Sequence, residues 1–126
     1  MQIGLLMLGD ASVQAMVERA RLAEAVGYGT VWLADERFYR EVYSCLTHFA
    51  AHTSKVLLGP CVTDSFSRHP ALTAMAIATL DEISGQRAIL GALSRLRYRR
   101  QDRLHRQKPQ QDLANLVAHQ LPAMVV

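Results

Sequence analysis

The sequence predicts an α/β fold on a parallel sheet, read as a partial (half) TIM barrel of about four strands alternating with helices, followed by a basic C-terminal tail. Three observations carry that prediction. Short apolar runs, "QIGLLML", "TVWLADE", "KVLLGPCV" and "RAIL", alternate with stretches of helical periodicity. The first run is nearly continuous in apolar residues, as in a parallel strand covered on both faces. Strands joined by helical crossovers must run parallel with right-handed connections, which leaves a doubly wound sheet or part of a (β/α)8 barrel.

Taken in order, "QIGLLML" is the first strand, and "DASVQAMVERARLAEAVG" is an amphipathic helix. Asp10 or Ser12 serves as its N-cap, and Val13, Met16, Val17, Ala20 and Ala23 share one face. Gln14, Glu18 and Arg21 take the other, and Gly27 suits the left-handed C-terminal position. "TVWLADE" is a second strand ending in the acidic pair Asp35 and Glu36. Residues 40–53 form a second helix with Val42, Leu46, Phe49 and Ala50 inward, and "KVLLGPCV" is the third strand. "HPALTAMAIATLDEISG" starts with Pro70 in its first turn and is expected to turn Leu72, Met75, Ala76, Thr79, Leu80 and Ile83 toward the sheet. "RAIL" is the fourth strand.

Both architectures place function beyond the carboxyl ends of the strands. Asp35 and Glu36 end the second strand, and Cys61 to Asp64 end the third. A dinucleotide-binding sheet needs a G-x-G-x-x-G turn after the first strand, whereas "MLGDAS" carries a single glycine. The barrel is therefore preferred.

The chain has 126 residues, half of them apolar, enough for one compact domain with a modest core. Its net charge of +3 is unevenly spread: residues 1–92 hold seven Lys/Arg against nine Asp/Glu, and residues 93–126 hold seven against two. Cys45 and Cys61 have no framework spacing. The first apolar run is interrupted by Gly4 and Gly9 and lacks a basic leader, so a cytoplasmic protein with reduced thiols is expected. No uncharged apolar stretch approaches the roughly 20 residues of a membrane span.

The stretches "AEAVGYGTVWLADE" and "LGPCVTDSFSRHPALTAMAIATLDEISGQRAILG", with their spacing, resemble the luciferase-like monooxygenase superfamily. The likeness is to its branch of deazaflavin (coenzyme F-420)-dependent oxidoreductases, which includes methylenetetrahydromethanopterin reductase, and it covers residues 1 to about 91. It implies a (β/α)8 barrel that passes a hydride to or from a deazaflavin or FMN ring, with a small-molecule substrate. It also implies a bulge and a non-prolyl cis peptide at the end of the third strand, here between Cys61 and Val62, backing the ring. Thr63 matches a cofactor-bonding threonine, and Asp35 an acidic residue near the ring. Glu36 stands where relatives often carry histidine, as a candidate catalytic residue beside Asp35, and Asp64 stands where asparagine is common, as a fifth cofactor-side residue with Asp35, Cys61, Val62 and Thr63. His69, on the same rim, is the candidate substrate contact.

Position alone supports plainer roles: an acidic pair at a strand end often caps the next helix, and Arg68 and His69 lead into the Pro70 helix. His48 and His52 have the i, i+4 spacing of a metal pair without a Cys or carboxylate partner, so no metal site is expected. Cys45 reads as core and Cys61 as a small wall rather than a nucleophile.

The family's glycine-rich continuation after "RAILG" is replaced by "GALSRLRYRRQDRLHRQKPQQDLANLVAHQLPAMVV". A complete barrel takes about 250 residues, so residues 1–92 supply the N-terminal half and 93–126 form a basic tail. The change of composition suggests a frameshift or gene fragment, and a truncated oxidoreductase inactive alone. Alternatives of other classes are a non-catalytic half-barrel that self-associates through its open edges, and a nonspecific nucleic-acid or anion binder. The latter would use Arg95, Arg97, Arg99, Arg100, Arg103, Arg106 and Lys108.

Overall fold

The computed structural model describes residues 3–63 and 68–91. Strands β1 (Gly4–Met7), β2 (Thr30–Leu33) and β3 (Leu57–Pro60) alternate with helices α1 (Val13–Ala25), α2 (Val42–His52) and α3 (Pro70–Ser84). The sheet order is β1-β2-β3, and both pairings are parallel, with Gly4 opposite Thr30 and Thr30 opposite Leu57. The expected fourth strand is reduced to a parallel bridge between Leu58 and Ala88. Around it the Leu58 N–H donates to the Arg87 carbonyl at 2.8 Å, and the Ile89 N–H to the Leu58 carbonyl at 2.9 Å. The described sheet thus has three strands, with residues 87–91 running beside β3.

Helix α1 starts where a hydroxyl can cap it: the Ser12 Oγ accepts from the Ala15 N–H at 3.2 Å. Met16, Val17, Ala20 and Ala23 are buried as its periodicity predicts, and Gly27 takes φ +91° just beyond the end. In α2, Glu41 is the N-cap, and Val42, Tyr43, Cys45, Leu46, Phe49 and Ala50 are buried. These join Met7, Val31, Leu33, Leu58, Ile77 and Leu80 in one core between the helices and one face of the sheet.

Helix α3 corrects the sequence reading. Its buried residues are Thr73, Ala74, Ile77, Leu80 and Ser84, whereas Leu72, Met75 and Ile83 are 54%, 62% and 49% exposed and Thr79 is exposed. Because α3 is apolar on more than one side, periodicity alone cannot choose its inward face. The choice is made by anchoring at its C-terminal end, where Gly85 takes φ +67°. There the Ala88 N–H donates to Asp81 Oδ1 at 3.2 Å and the Arg87 N–H to Ser84 Oγ at 3.1 Å. The packed face that results is rich in small side chains, and it lies against α2.

Arg87 ties three elements together. Its guanidinium donates to the carbonyls of Ala50 and Thr53 near the end of α2 and to the Val56 carbonyl before β3, at 2.9 to 3.1 Å. Carbonyls left over by a helix end are a suitable target for a fixed fork of donors.

The opposite face of the sheet carries Leu6, exposed, and Trp32, half-buried. Trp32 lies along the glycines of its neighbours: a Cβ on Gly4 would come within 3.2 Å of the indole, and one on Gly91 within 3.4 Å. Gly59 is required for a different reason, since a Cβ there would meet the Ile89 carbonyl oxygen at 2.0 Å. Among the described residues no helix is long and apolar enough to cross a membrane.

Candidate functional site

The strand ends meet at one rim because the backbone ladder continues past each strand. The Ala34 N–H donates to the Met7 carbonyl at 2.9 Å, the Cys61 N–H to the Leu33 carbonyl at 2.8 Å, and the Thr63 N–H to the Gly91 carbonyl at 2.8 Å. Asp35, the residue after this ladder on β2, comes beside Thr63, the last residue of the ladder beyond β3. The buried Thr63 Oγ1 donates to Asp35 Oδ2 at 2.7 Å. Asp35 itself is half-buried, so its carboxylate is reachable from the rim.

The backbone that leads into Thr63 is irregular. The Cys61–Val62 peptide is cis, as the resemblance implies, and both residues are half-buried. Cys61 is a free thiol, and Cys45 is buried in the core. Burial pushes the Cys45 thiol up, and the Glu41 charge adds to the effect.

The other expected site residues are placed differently. Glu36 is exposed, and its carbonyl accepts from the Tyr39 N–H at 3.4 Å in the turn that follows β2. In that turn Phe38 is fully exposed with φ +69°, a left-handed conformation uncommon for an aromatic residue. His69 is exposed and caps α3, its Nδ1 accepting from the Ala71 N–H at 3.2 Å. That bond requires the proton on Nε2, which leaves Nε2 as the remaining donor. Asp64 lies outside the described residues, as do all the basic residues of the tail. His48 and His52 stack edge to face at 4.6 Å, and among the described residues no group of three or more His, Cys, Asp and Glu is arranged to hold a metal.

Two residues at this rim, Glu41 and Tyr43, escape the sequence reading, and Arg68, read there as leading into the Pro70 helix, joins them. Glu41 accepts from the Ser44 N–H at 2.7 Å and pairs with Arg68. Burial works to raise its carboxyl, but the Ser44 N–H and the Arg68 guanidinium outweigh that and hold it below the ordinary range. Arg68 in turn sits over the Tyr43 ring, 4.8 Å from its centroid. Tyr43 is 6% exposed, and its hydroxyl has no hydrogen-bond partner among the described residues. Burial pushes that phenol up to about 12, the charges of Asp35 and Glu41 adding to the rise while Thr63 and Arg68 oppose it. A sequence signal for Tyr43 exists: it lies three residues before Leu46 and seven before Ala50, on the buried stripe, where a phenol needs a partner.

Asp35, Thr63 and the cis Cys61–Val62 peptide thus come together at the carboxyl ends of a parallel sheet, the end at which folds of this kind place their sites. The chain belongs to the luciferase-like monooxygenase family, whose model matches residues 1–115. It is 42% identical over 91 residues to the 5,10-methylenetetrahydromethanopterin reductase of Methanolobus tindarius, an alignment covering 72% of this chain and 28% of that one. Among solved structures it is similar to the coenzyme F420-dependent tetrahydromethanopterin reductase of Methanopyrus kandleri, with TM-score 0.71 and 38% identity over 72% of this chain and 26% of that one. The oxygenating constituent of 3,6-diketocamphane monooxygenase from Pseudomonas putida, in complex with FMN, shares the fold. The TM-score there is 0.67 at 19% identity, over 77% of this chain and 30% of that one. This chain thus spans little more than a quarter of the reductases it matches.

Proposed function

We propose that this chain forms the cofactor-side wall of a luciferase-like oxidoreductase, the first half of a (β/α)8 barrel acting with coenzyme F-420 or FMN on a small-molecule substrate. The carrying observation is the 2.7 Å hydrogen bond from Thr63 to Asp35, which joins the ends of β2 and β3 and holds a carboxylate beside an exposed backbone wall. The sequential order of β1, β2, β3 and the segment at Ala88 supports an arc of barrel, since a doubly wound sheet reverses its strand order at the switch point. The residues present fit a planar ring. Cys61 and Val62 offer a half-exposed surface, and Asp35 an acceptor at its edge.

When bound, the deazaflavin or flavin ring supplies hydride transfer. The protein's part is to bind and orient: Thr63 fixes the Asp35 carboxylate, and the Cys61–Val62 backbone blocks one face, leaving the other for substrate. Asp64 adds charge on the cofactor side, Glu36 offers a carboxylate for proton transfer, and His69 contacts the substrate through Nε2. F-420 is favoured over FMN, because a solved relative at 38% identity is F420-dependent.

Alone, the chain supplies a half-site without the later barrel loops, so it is expected to bind either cofactor with a dissociation constant on the order of 1 mM or weaker. Turnover should be undetectable, since positioning contributes roughly 7 to 11 kcal/mol of barrier reduction and half a site gives little of it. Fluorescence titration with each cofactor tests this, with Asp35→Asn and Thr63→Val as controls that weaken binding further. Micromolar binding with measurable reductase turnover would refute the half-site reading.

A further inference from the structure

Away from the rim, α2 presents two imidazoles to solvent. His48 and His52 stand one turn apart on the same side of the helix, and both are exposed. Their ring centres are 4.6 Å apart, with the planes inclined at 61°. Two imidazoles that share one ion at a zinc–nitrogen distance of about 2.0 to 2.1 Å have ring centres roughly 4.5 to 5 Å apart. The rings therefore already stand at the separation a shared ion requires.

A second observation fixes the chemistry of one ligand. His52 Nδ1 lies 2.8 Å from the His48 carbonyl oxygen. A carbonyl only accepts, so Nδ1 carries the proton and Nε2 of the neutral ring is left with a lone pair. Metal-ligating histidines are prepared in the same way, the other ring N–H resting on a backbone carbonyl that sets both tautomer and ring orientation.

We propose that His48 and His52 form a two-imidazole chelate for a divalent late transition-metal ion of the Cu(II) and Ni(II) class, with water completing the coordination. A closed structural centre would need four protein ligands, and among the described residues no further His, Cys, Asp or Glu joins the pair. Nitrogen donors with open positions suit the tetragonal geometry of Cu(II) and Ni(II), whereas Mg(II) calls for oxygen. The pair lies toward the end of α2, while Glu41 at the start of that helix belongs to the rim, so the chelate does not rest on the cofactor reading. A bound ion clips the turn from His48 to His52 and thereby stabilises the folded chain.

Calorimetric titration of the full chain with Ni(II), and with Mg(II) as control, tests the proposal. Ni(II) is the probe because Cu(II) would also oxidise the free thiols of Cys45 and Cys61. The original chain should bind Ni(II) and not Mg(II). His48→Gln and His52→Gln, both at exposed positions, should each weaken Ni(II) binding by at least about 10-fold, because either change turns a chelate into a single ligand. The second substitution should add little once the first is made. Melting temperature should rise with Ni(II) in the original chain and rise less in each variant. Weakening in only one of the two variants, or equal binding by all of the chains, would overturn the chelate. So would an original chain that does not bind Ni(II).

Discussion

Glu24 shows how much a single carboxylate can organise in this fold. It sits near the end of α1, yet accepts from three successive N–H groups across the chain: Ser54 at 3.0 Å, Lys55 at 2.6 Å and Val56 at 3.0 Å. The turn before β3 is thereby built around an anion. Burial raises the Glu24 carboxyl, but the three backbone donors together lower it further than burial raises it. A carboxyl depressed by folding stabilises the protein fully above its unfolded value, near 4.5, and that contribution disappears as the pH falls through the folded value. Melting temperature should therefore drop more steeply between pH 6 and pH 3, about the carboxylate range, in the original chain than in Glu24→Gln. At neutral pH Glu24→Ala should cost about 1 to 2 kcal/mol, a figure reduced for solvent screening of a half-buried group. Parallel pH profiles for the two proteins would show that these bonds do not depend on charge.

At the scale of elements, α3 decides whether packing or apparent periodicity sets the core. Leu72 is exposed and Ile77 fully buried, although both are large aliphatic residues on one helix. Leu72→Ala should therefore change stability by no more than about 0.5 kcal/mol. Ile77→Ala should cost about 2 to 5 kcal/mol, because it leaves a cavity between α3 and the rest of the core. Chemical denaturation of the two variants is the check, and the reverse ranking would reinstate the face read from the sequence. The small residues Thr73 and Ala74 lie on the face that the C-terminal anchoring turns inward, and they let α3 approach its neighbours closely.

At the scale of the molecule, the helices cover one face of a parallel sheet, and such sheets are ordinarily covered on both. Leu6 is 56% exposed on the other face, with Ile3 and Leu8 exposed at either end of the same strand. β1 also stands at an edge of the described sheet. The isolated chain is expected to self-associate, and light scattering at tens of micromolar, about the range where exposed apolar surface drives association, should report dimers or larger species. A stable monomer would mean that other parts of the chain cover this face. Val31 is fully buried in the central strand and takes no part.

The sequence by itself determined the alternation of strands and helices, the α1 face from Met16 to Ala23, the Pro70 start of α3 and the family, because each depends on local spacing or on residues close together in the chain. It also marked Asp35 and Thr63 as residues at strand ends. Only the tertiary structure decided that those two meet, since a hydrogen bond across 28 positions depends on the register of β2 with β3. The same holds for the carboxylate of Glu24, the four guanidinium bonds from Arg87 to Ala50, Thr53 and Val56, and the rotation of α3, all fixed by partners distant in sequence. Tyr43 falls between the two cases: its buried stripe was legible from spacing, but that its hydroxyl has no partner among the described residues appears only in the folded structure.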